Sequence, residues 1–140
     1  MKITKEITFD SAHMLSYYDG KCNNLHGHTY KLQVIVEGIP GNESCMLVDF
    51  NELKSIIQNT IMENFDHAVI FSEPIYRDEA EEALYKWAIK YKKKYLVIQS
   101  GKTTCECLAP MIRDNLQIVM GSRFNIGIKL WETPTSFVEV

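Results

Sequence analysis

The chain lacks the features of a membrane-inserted or secreted protein. None of its apolar runs approaches the roughly 18 residues that a membrane-spanning helix requires. The segment Met1–Glu6 has no apolar core of the kind found in secretory signals. The four cysteines, at positions 22, 45, 105 and 107, do not follow the spacing of a disulfide framework. These absences predict a cytoplasmic protein with reduced thiols and no membrane association.

Two further classes of ligand are disfavoured by what the chain does not have. It carries 15 Lys and Arg against 18 Asp and Glu, a net charge of -3, whereas a general nucleic-acid binder needs an excess of positive charge. Its one dense basic stretch, 90–94, falls at the end of a predicted helix, where cations complement the helix dipole. The stretch 100–104 resembles the end of a phosphate-binding loop, but the glycine that this motif requires is replaced by Leu96. The sequence therefore does not predict a nucleotide hydrolase.

The apolar residues are arranged as in a folded α+β protein. They make up 46% of the chain, and no repeat, low-complexity tract or linker interrupts it, so residues 1–140 are expected to form one domain. Alternation of apolar and polar residues predicts strands. The predicted strands are 2–13, 25–37, 45–48, 95–99, 124–132 and 137–140.

Three intervening segments have helical spacing and one apolar face, which predicts helices packed on a sheet. Asp49 with Glu52, and Thr103 with Glu106, have the form of capping boxes for the first and third helices. The first helix is expected to end near Asn64. The second, within 73–95, carries an apolar stripe that we expect to pack in the core: Ala80, Leu84, Trp87, Ala88 and Tyr91. The third is expected to end at Gly121 and to bury Leu108, Ile112, Leu116 and Val119.

Histidines concentrate in and just before the stretch Cys22–Tyr30. In a strand from residue 25, the period of two puts His26 and His28 on one face. His13 ends the preceding strand with matching parity, so antiparallel pairing would bring a third imidazole beside the first two. Three neutral imidazoles suit Zn²⁺, and an open fourth position separates a catalytic zinc from a structural one. The sequence therefore predicts a three-histidine zinc site.

Other chemical side chains are positioned to join this site. Cys22 lies in the connection between the two strands and either closes the site as a fourth ligand or stands beside the metal as an activated thiol. Asp66 and His67 form a carboxylate–imidazole pair, in which the carboxylate can fix the tautomer of the ring and make it a better base. Glu132 ends the last long predicted strand, on the same face as the apolar residues that precede it at alternate positions. A carboxylate at the edge of an apolar face needs a partner.

Six motifs follow one another along the chain: Phe9–His13, Cys22–Tyr30, Val48–Leu53, Phe65–His67, Thr104–Glu106 and Trp131–Thr133. Together and in this order, they resemble the 6-pyruvoyl-tetrahydropterin synthase and 6-carboxy-tetrahydropterin synthase family of the tunnelling fold. The resemblance implies an α+β subunit made of a two-layer antiparallel sheet with helices on one face. It also implies a homo-oligomer, a trimer or hexamer, whose sheets form a barrel and whose active sites lie at subunit interfaces.

The resemblance further implies a role for each candidate residue. The zinc ligands are His13, His26 and His28. The catalytic residues are Cys22, as general base or proton shuttle, with Asp66 and His67 as its partner. The pterin substrate is anchored by Glu132, in a pocket also lined by Glu106 and Thr104.

The implied substrate is 7,8-dihydroneopterin triphosphate, and two branches of the family differ in product. The Cys-x-x-x-His-Gly-His spacing at Cys22–His28 resembles the bacterial branch, which cleaves the side chain to give 6-carboxy-tetrahydropterin, acetaldehyde and triphosphate on the way to queuosine. We therefore expect a zinc-dependent lyase of that branch. The chain departs from compact members of the branch in a longer segment, 73–101, and in Thr103, where they have proline.

Three alternatives to this expectation remain. One is the other branch, which eliminates triphosphate without side-chain cleavage to give 6-pyruvoyl-tetrahydropterin. A second is a non-enzymatic interaction module in which Cys22 completes a closed zinc site with no room for substrate. A third is a generic zinc hydrolase with His67 as its base, which leaves Glu132 and Glu106 with roles in packing and capping alone.

Overall fold

A six-stranded mixed sheet forms the frame of the protein in the computed structural model, which describes residues 1–140. The strands are β1 (Lys2–His13), β2 (His26–Glu37), β3 (Ala68–Phe71), β4 (Tyr95–Val97), β5 (Asn125–Thr133) and β6 (Ser136–Glu139). The helices are α1 (Phe50–Ile57), α2 (Glu63–Phe65), α3 (Glu79–Lys90) and α4 (Cys105–Met120). A π-helical stretch, Gln58–Met62, joins α1 to α2, and 3-10 turns form at Lys21–Asn23 and Pro74–Tyr76. None of these helices combines the length and apolar character that a membrane crossing requires.

The long antiparallel pair β1–β2 runs through the centre of the sheet, whose strand order is β4-β3-β1-β2-β5-β6. Its register is continuous from Lys2 opposite Glu37 to His13 opposite His26. One face of β2 is completely buried at alternate positions, the other is half exposed, and a slip of one residue would exchange the two faces. The apolar alternation therefore fixes the pairing that brings His13 next to His26.

The two short strands on the other side of β1 explain why the sheet is mixed. β3 runs parallel to β1, with Ser11 opposite Ala68, and β4 runs parallel to β3, with Val69 opposite Tyr95. Parallel neighbours need crossover connections, which α1–α2 and α3 supply. The predicted α+β class with helices packed on the sheet is confirmed, and the parallel edge is an addition to the antiparallel sheet that was expected.

The helices bury their apolar stripes against one face of this sheet. Leu53 and Ile57 of α1 and Leu108, Ile112 and Leu116 of α4 are buried in one core with the inward side chains of β2 and β5. At the end of this core nearest the histidines, three aromatic rings pack together: Phe9 lies 5.1 Å from Tyr30 and 5.5 Å from Phe65, between ring centroids.

One of the two predicted capping boxes caps its helix. Asp49 accepts hydrogen bonds from the backbone N–H groups of Asn51 (2.6 Å) and Glu52 (3.3 Å), so the predicted start of α1 is confirmed. The second prediction was wrong, because Thr103 is fully buried and its hydroxyl donates to the Met14 carbonyl instead. Helix α4 begins one residue later, after Thr104, without a side-chain cap.

Three other local predictions were wrong. No strand forms at 45–48, since Cys45 takes a left-handed conformation in a tight turn closed by its N–H and the Gly41 carbonyl. In α3 the buried positions are Glu81 and Ala88, seven residues apart on one face, whereas Trp87 is 44% exposed. At the end of α4, Met120 is buried in place of Val119, directly before Gly121 ends the helix with a positive φ of 79°.

Candidate metal and catalytic site

Three imidazoles converge at the end of the central strand pair. His13 ends β1, His26 begins β2 opposite it, and His28 follows on the same face of β2. The Nε2 atoms of His13 and His26 are 3.1 Å apart, and one ring nitrogen from each of the three residues lies within 4.8 Å of the others. The geometric prediction from strand parity therefore holds, because the same register that buries the core also aligns these rings.

Backbone carbonyls set the tautomers of two of these rings. His13 Nδ1 lies 2.8 Å from the carbonyl oxygen of Thr103, and His26 Nδ1 lies 2.8 Å from that of Asn24. A carbonyl can only accept, so each Nδ1 carries the proton and each Nε2 presents a lone pair. Two lone pairs 3.1 Å apart repel each other unless a cation lies between them.

His28 completes the donor set. Its Nε2 atom is buried and has no hydrogen-bond partner. A buried polar atom without a partner is costly, whereas a metal ion would satisfy it. Three neutral imidazole nitrogens directed at one point are the donor set that zinc prefers, so these residues fit a zinc ion.

Burial keeps the imidazoles of His13 and His28 neutral. It lowers the pKa of His13 to about 4, against the opposing effect of the Thr103 carbonyl and with a smaller contribution from the two neighbouring rings. Burial also lowers the pKa of His28, although the Glu132 carboxylate acts in the opposite direction. Neutral imidazole is the form that binds a metal, so the site is prepared for one at neutral pH.

Glu132 links the imidazoles to a neighbouring cavity. Its Oε1 atom lies 3.6 Å from His13 Nε2 and 3.7 Å from His28 Nε2. The same side chain lines a cavity of about 330 Å³, and so do Cys22, Thr104 and Glu106. The structure thus brings four of the predicted site residues to one cavity beside the three histidines.

Cys22 reaches this cavity from the loop between β1 and β2. It lies in the 3-10 turn Lys21–Asn23 and is half-buried. The loop is closed by a hydrogen bond of 2.8 Å from the N–H of Leu15 to the Cys22 carbonyl. Leu15 and Tyr18, from the same loop, line the cavity as well, so the loop forms one of its walls.

His67, which is paired with Asp66, lines a different cavity. Asp66 Oδ2 is 2.9 Å from His67 Nδ1, and Asp66 Oδ1 accepts a hydrogen bond of 3.0 Å from the N–H of Asp10. His67 is 76% exposed and borders a cavity of about 430 Å³, which is also lined by Thr29 and His28. Within one chain, His67 and Cys22 therefore line separate cavities.

The backbone around this pair is strained and held in place. His67 has a positive φ of 59°, which is uncommon for a residue with a side chain and is concentrated at functional sites. Its N–H donates to the Asp10 carbonyl at 2.6 Å. The pKa of Asp66 is lowered first by the Asp10 N–H bond and then by His67 and Lys94. The carboxylate is thus kept ionised, ready to orient the His67 ring.

Three supporting residues were missed by the sequence predictions. Thr103 and Asn24 act through backbone carbonyls, which leave no signature in a side-chain pattern. Asp10 carries a signal that was available, since it stands inside the motif Phe9–His13. Its carboxylate lies close to Asp66 and His67 and accepts a hydrogen bond from the Thr29 hydroxyl at 2.5 Å.

The fold and the donor set together define a class: a small α+β protein with three convergent imidazoles beside a cavity that carries a thiol and carboxylates. A family model described as 6-pyruvoyl tetrahydropterin synthase matches residues 2–140. The chain belongs to this family.

Relatives of known name are similar over nearly the full length. The 6-carboxy-5,6,7,8-tetrahydropterin synthase of Haemophilus influenzae is 42% identical over 142 residues, which cover 99% of this chain and 96% of that protein. The protein of the same name from Rickettsia felis is 30% identical over 143 residues, covering 100% and 99%.

Solved structures show the same fold at lower sequence identity. The 6-pyruvoyl tetrahydropterin synthase of Plasmodium falciparum superposes with a TM-score of 0.74 at 21% identity, covering 100% of this chain and 96% of that one. The Caenorhabditis elegans enzyme of that name gives a TM-score of 0.70 at 23% identity, covering 100% and 94%.

Proposed function

We propose that the protein is a lyase of the 6-carboxy-tetrahydropterin branch, acting as a single pterin synthase-like domain over residues 1–140. It would convert 7,8-dihydroneopterin triphosphate and one water molecule to 6-carboxy-5,6,7,8-tetrahydropterin, acetaldehyde and triphosphate. The observation that carries this proposal is the meeting of three convergent imidazoles, two of them with tautomers fixed by backbone carbonyls, with a cavity lined by Cys22 and Glu132. The 42% identity to a protein named for this product supports the choice of branch.

His13, His26 and His28 would hold Zn²⁺ through the nitrogens that face one another. When bound, zinc acts as a Lewis acid that makes hydroxyl groups of the substrate side chain easier to deprotonate. Glu132 Oε1 lies 3.6 Å from His13 Nε2 and 3.7 Å from His28 Nε2, so a pterin bound by this carboxylate would lie beside the metal.

The cavity residues would bind and orient the pterin. A carboxylate can accept two parallel hydrogen bonds, so Glu132 is suited to the amino-pyrimidinone edge of the ring. Thr104 and Glu106 line the same cavity, whose volume of about 330 Å³ falls in the range of small-molecule sites. With the ring held there, its side chain would extend toward the histidines.

Two groups would move protons as the triphosphate leaves. The Cys22 thiol lines the cavity and is placed to take a proton from the substrate side chain. His67, whose ring is oriented by Asp66 at 2.9 Å, would take or return a second proton. The position of Cys22 in the cavity wall supports a role as base over a role as fourth ligand.

We further propose that the active site forms between copies of the chain in a trimer or hexamer, since Cys22 and His67 line separate cavities of one chain. A second copy would then supply the Asp66–His67 pair. Mixing inactive C22A with inactive H67A protein should restore part of the activity, because some sites would combine two intact halves. Sedimentation should show an oligomer, and a monomer, or no recovery on mixing, would contradict this arrangement.

The experiment that tests the reaction is product analysis of zinc-loaded protein given 7,8-dihydroneopterin triphosphate. A 6-carboxy pterin together with acetaldehyde would support the proposal and a role in queuosine-type biosynthesis. A 6-pyruvoyl product without acetaldehyde would move the protein to the other branch. Absence of turnover despite tight zinc binding would overturn both enzymatic assignments.

A further inference from the structure

The function proposed above does not use the most deeply buried carboxylate in the molecule. Glu81, in the first turn of α3, has no exposed surface. Burying a carboxylate is costly unless its oxygens are hydrogen-bonded. Oε1 of Glu81 accepts from the backbone N–H of Ser72 at 2.6 Å, and Oε2 accepts from the hydroxyl of Ser16. Both oxygens are thus committed to fixed partners, one of which lies 65 residues away along the chain.

Ser16 is held from three directions. Its hydroxyl oxygen accepts a hydrogen bond of 3.1 Å from the N–H of Asp78, so its own proton is free to be donated to Glu81. Its carbonyl accepts a hydrogen bond of 3.0 Å from Lys102 Nζ. Ser16 is fully buried, so solvent cannot replace any of these partners. The start of α3 therefore fixes the position of the loop that begins after β1.

This loop is the one that carries Cys22. Leu15, the neighbour of Ser16, donates its N–H to the Cys22 carbonyl at 2.8 Å, so a displacement of Ser16 is transmitted to the thiol residue. On the other side, the Met14 carbonyl is held by the Thr103 hydroxyl at 2.9 Å. The imidazoles, in contrast, sit on β1 and β2 and do not contact Glu81.

We propose that Glu81 is a positioning residue for Cys22: its carboxylate, through Ser16, holds the loop 14–22 so that the thiol faces the cavity. The inference rests on the proposed function, which assigns Cys22 to proton transfer. It gives α3 a role in the reaction, although no residue of this helix reaches the cavity.

The test compares E81Q with E79Q. Glutamine keeps the shape of Glu81 but has only one acceptor oxygen. Either the hydroxyl proton of Ser16 or the N–H of Ser72 therefore loses its acceptor. Glu79 lies in the same first turn and is exposed, which makes E79Q the matched control. We expect E81Q to lower kcat by about tenfold to a hundredfold, the effect of misplacing a catalytic group. KM should change less, because Glu132, Thr104 and Glu106 lie outside the loop.

A second readout does not depend on activity. Iodoacetamide labelling, mapped by peptide mass spectrometry, should modify Cys22 about tenfold faster in E81Q, because loss of a buried hydrogen bond shifts the loop toward open forms. The exposed Cys45 serves as the internal reference and should react at an unchanged rate. Zinc content per chain should match the wild type.

The variant S16A removes the same contact from its other end. It should reproduce both effects of E81Q, and the double variant should be no worse than either single one, as expected for two ends of one interaction. If E81Q lowers the melting temperature while kcat and Cys22 labelling stay at wild-type values, Glu81 is a structural residue alone and the proposal fails. If the wild type has no turnover at all, the proposed function fails, and the labelling comparison decides the positioning role by itself.

Discussion

The two imidazole-containing regions of this protein are built in opposite ways. His13 is 1% exposed, and both of its ring nitrogens point at fixed partners inside the chain. His67 is 76% exposed and is held by one carboxylate and a strained backbone. The first region is complete within one chain and fits a metal ion, whereas the second presents an oriented base toward the outside. Under the proposed function, metal binding would be a property of the single subunit, whereas proton transfer by His67 would depend on what approaches its exposed ring.

The sharpest way to separate the two regions is to remove one imidazole from each. The change His28→Ala should weaken zinc binding by more than about 100-fold, since even loss of a supporting hydrogen bond can cost that much, and should abolish turnover. His67→Ala should keep the metal and lose activity. Metal content measured by plasma mass spectrometry after dialysis checks both. Equal zinc in the two variants would show that His28 is not a ligand.

Cys22 lines the cavity beside the three histidines, and its substitution tests whether it acts as a metal ligand or as a base. Cys22→Ala should retain zinc and lose about 10²- to 10⁴-fold in kcat, the contribution of a general base. Cys45→Ser, a change at an exposed thiol far from the site, should leave both unchanged. Loss of the metal in Cys22→Ala would make Cys22 a ligand, and the assignment as base would then be wrong.

In the metal-free protein, the buried His13 should make the free energy of unfolding depend on pH. The pKa of His13 is lowered from 6.5 to about 4, so the unfolded chain takes up a proton at higher pH than the folded one. The contribution of His13 to the free energy of unfolding is fully present above pH 6.5. It falls by about 3 kcal/mol as the pH drops through 4. Urea unfolding between pH 7.5 and 4.5 measures this loss. The variant His67→Gln is the matched control, because it leaves His13 and the partners of that ring unchanged.

The smallest expected effect is a change in stability at low pH, caused by Asp66 in the exposed region. The pKa of Asp66 is depressed, so its contribution to stability is complete above its ordinary value, near 4, and is lost as the pH falls through the lower folded value. The variant Asp66→Asn should therefore be less stable than the wild type at pH 6, and the difference should be smaller at pH 3. Thermal melts at the two pH values check this. A constant difference would mean that the Asp10 N–H bond does not depend on the charge of Asp66.

The parts of the site that follow from strand periodicity could be predicted, and those that depend on tertiary contacts could not. The period of two in β1 and β2 is enough to place His13, His26 and His28 together. Glu132 could be predicted as a site residue, because a carboxylate on the apolar face of a strand needs a partner. No pattern indicated that Thr103 would be buried and not serve as a cap, because the Met14 carbonyl that its hydroxyl meets is 89 residues away.

The helix α3 illustrates the same limit from the other side. Its apolar residues suggested a core stripe that includes Trp87, yet the face that packs inward carries a carboxylate. By its hydrophobicity, Glu81 would be expected on the surface. Its burial is compensated by hydrogen bonds from the Ser16 hydroxyl and the Ser72 N–H. Side chains whose position depends on distant partners are the ones that a local pattern misassigns.

The carbonyl groups that orient His13 and His26 have a consequence for how this protein can change over generations. They belong to the main chain of residues 103 and 24, and every amino acid, proline included, keeps a carbonyl there. Substitution at either position leaves the acceptor in place as long as the path of the chain is preserved. The orientation of the two rings therefore does not depend directly on which side chains these two positions carry.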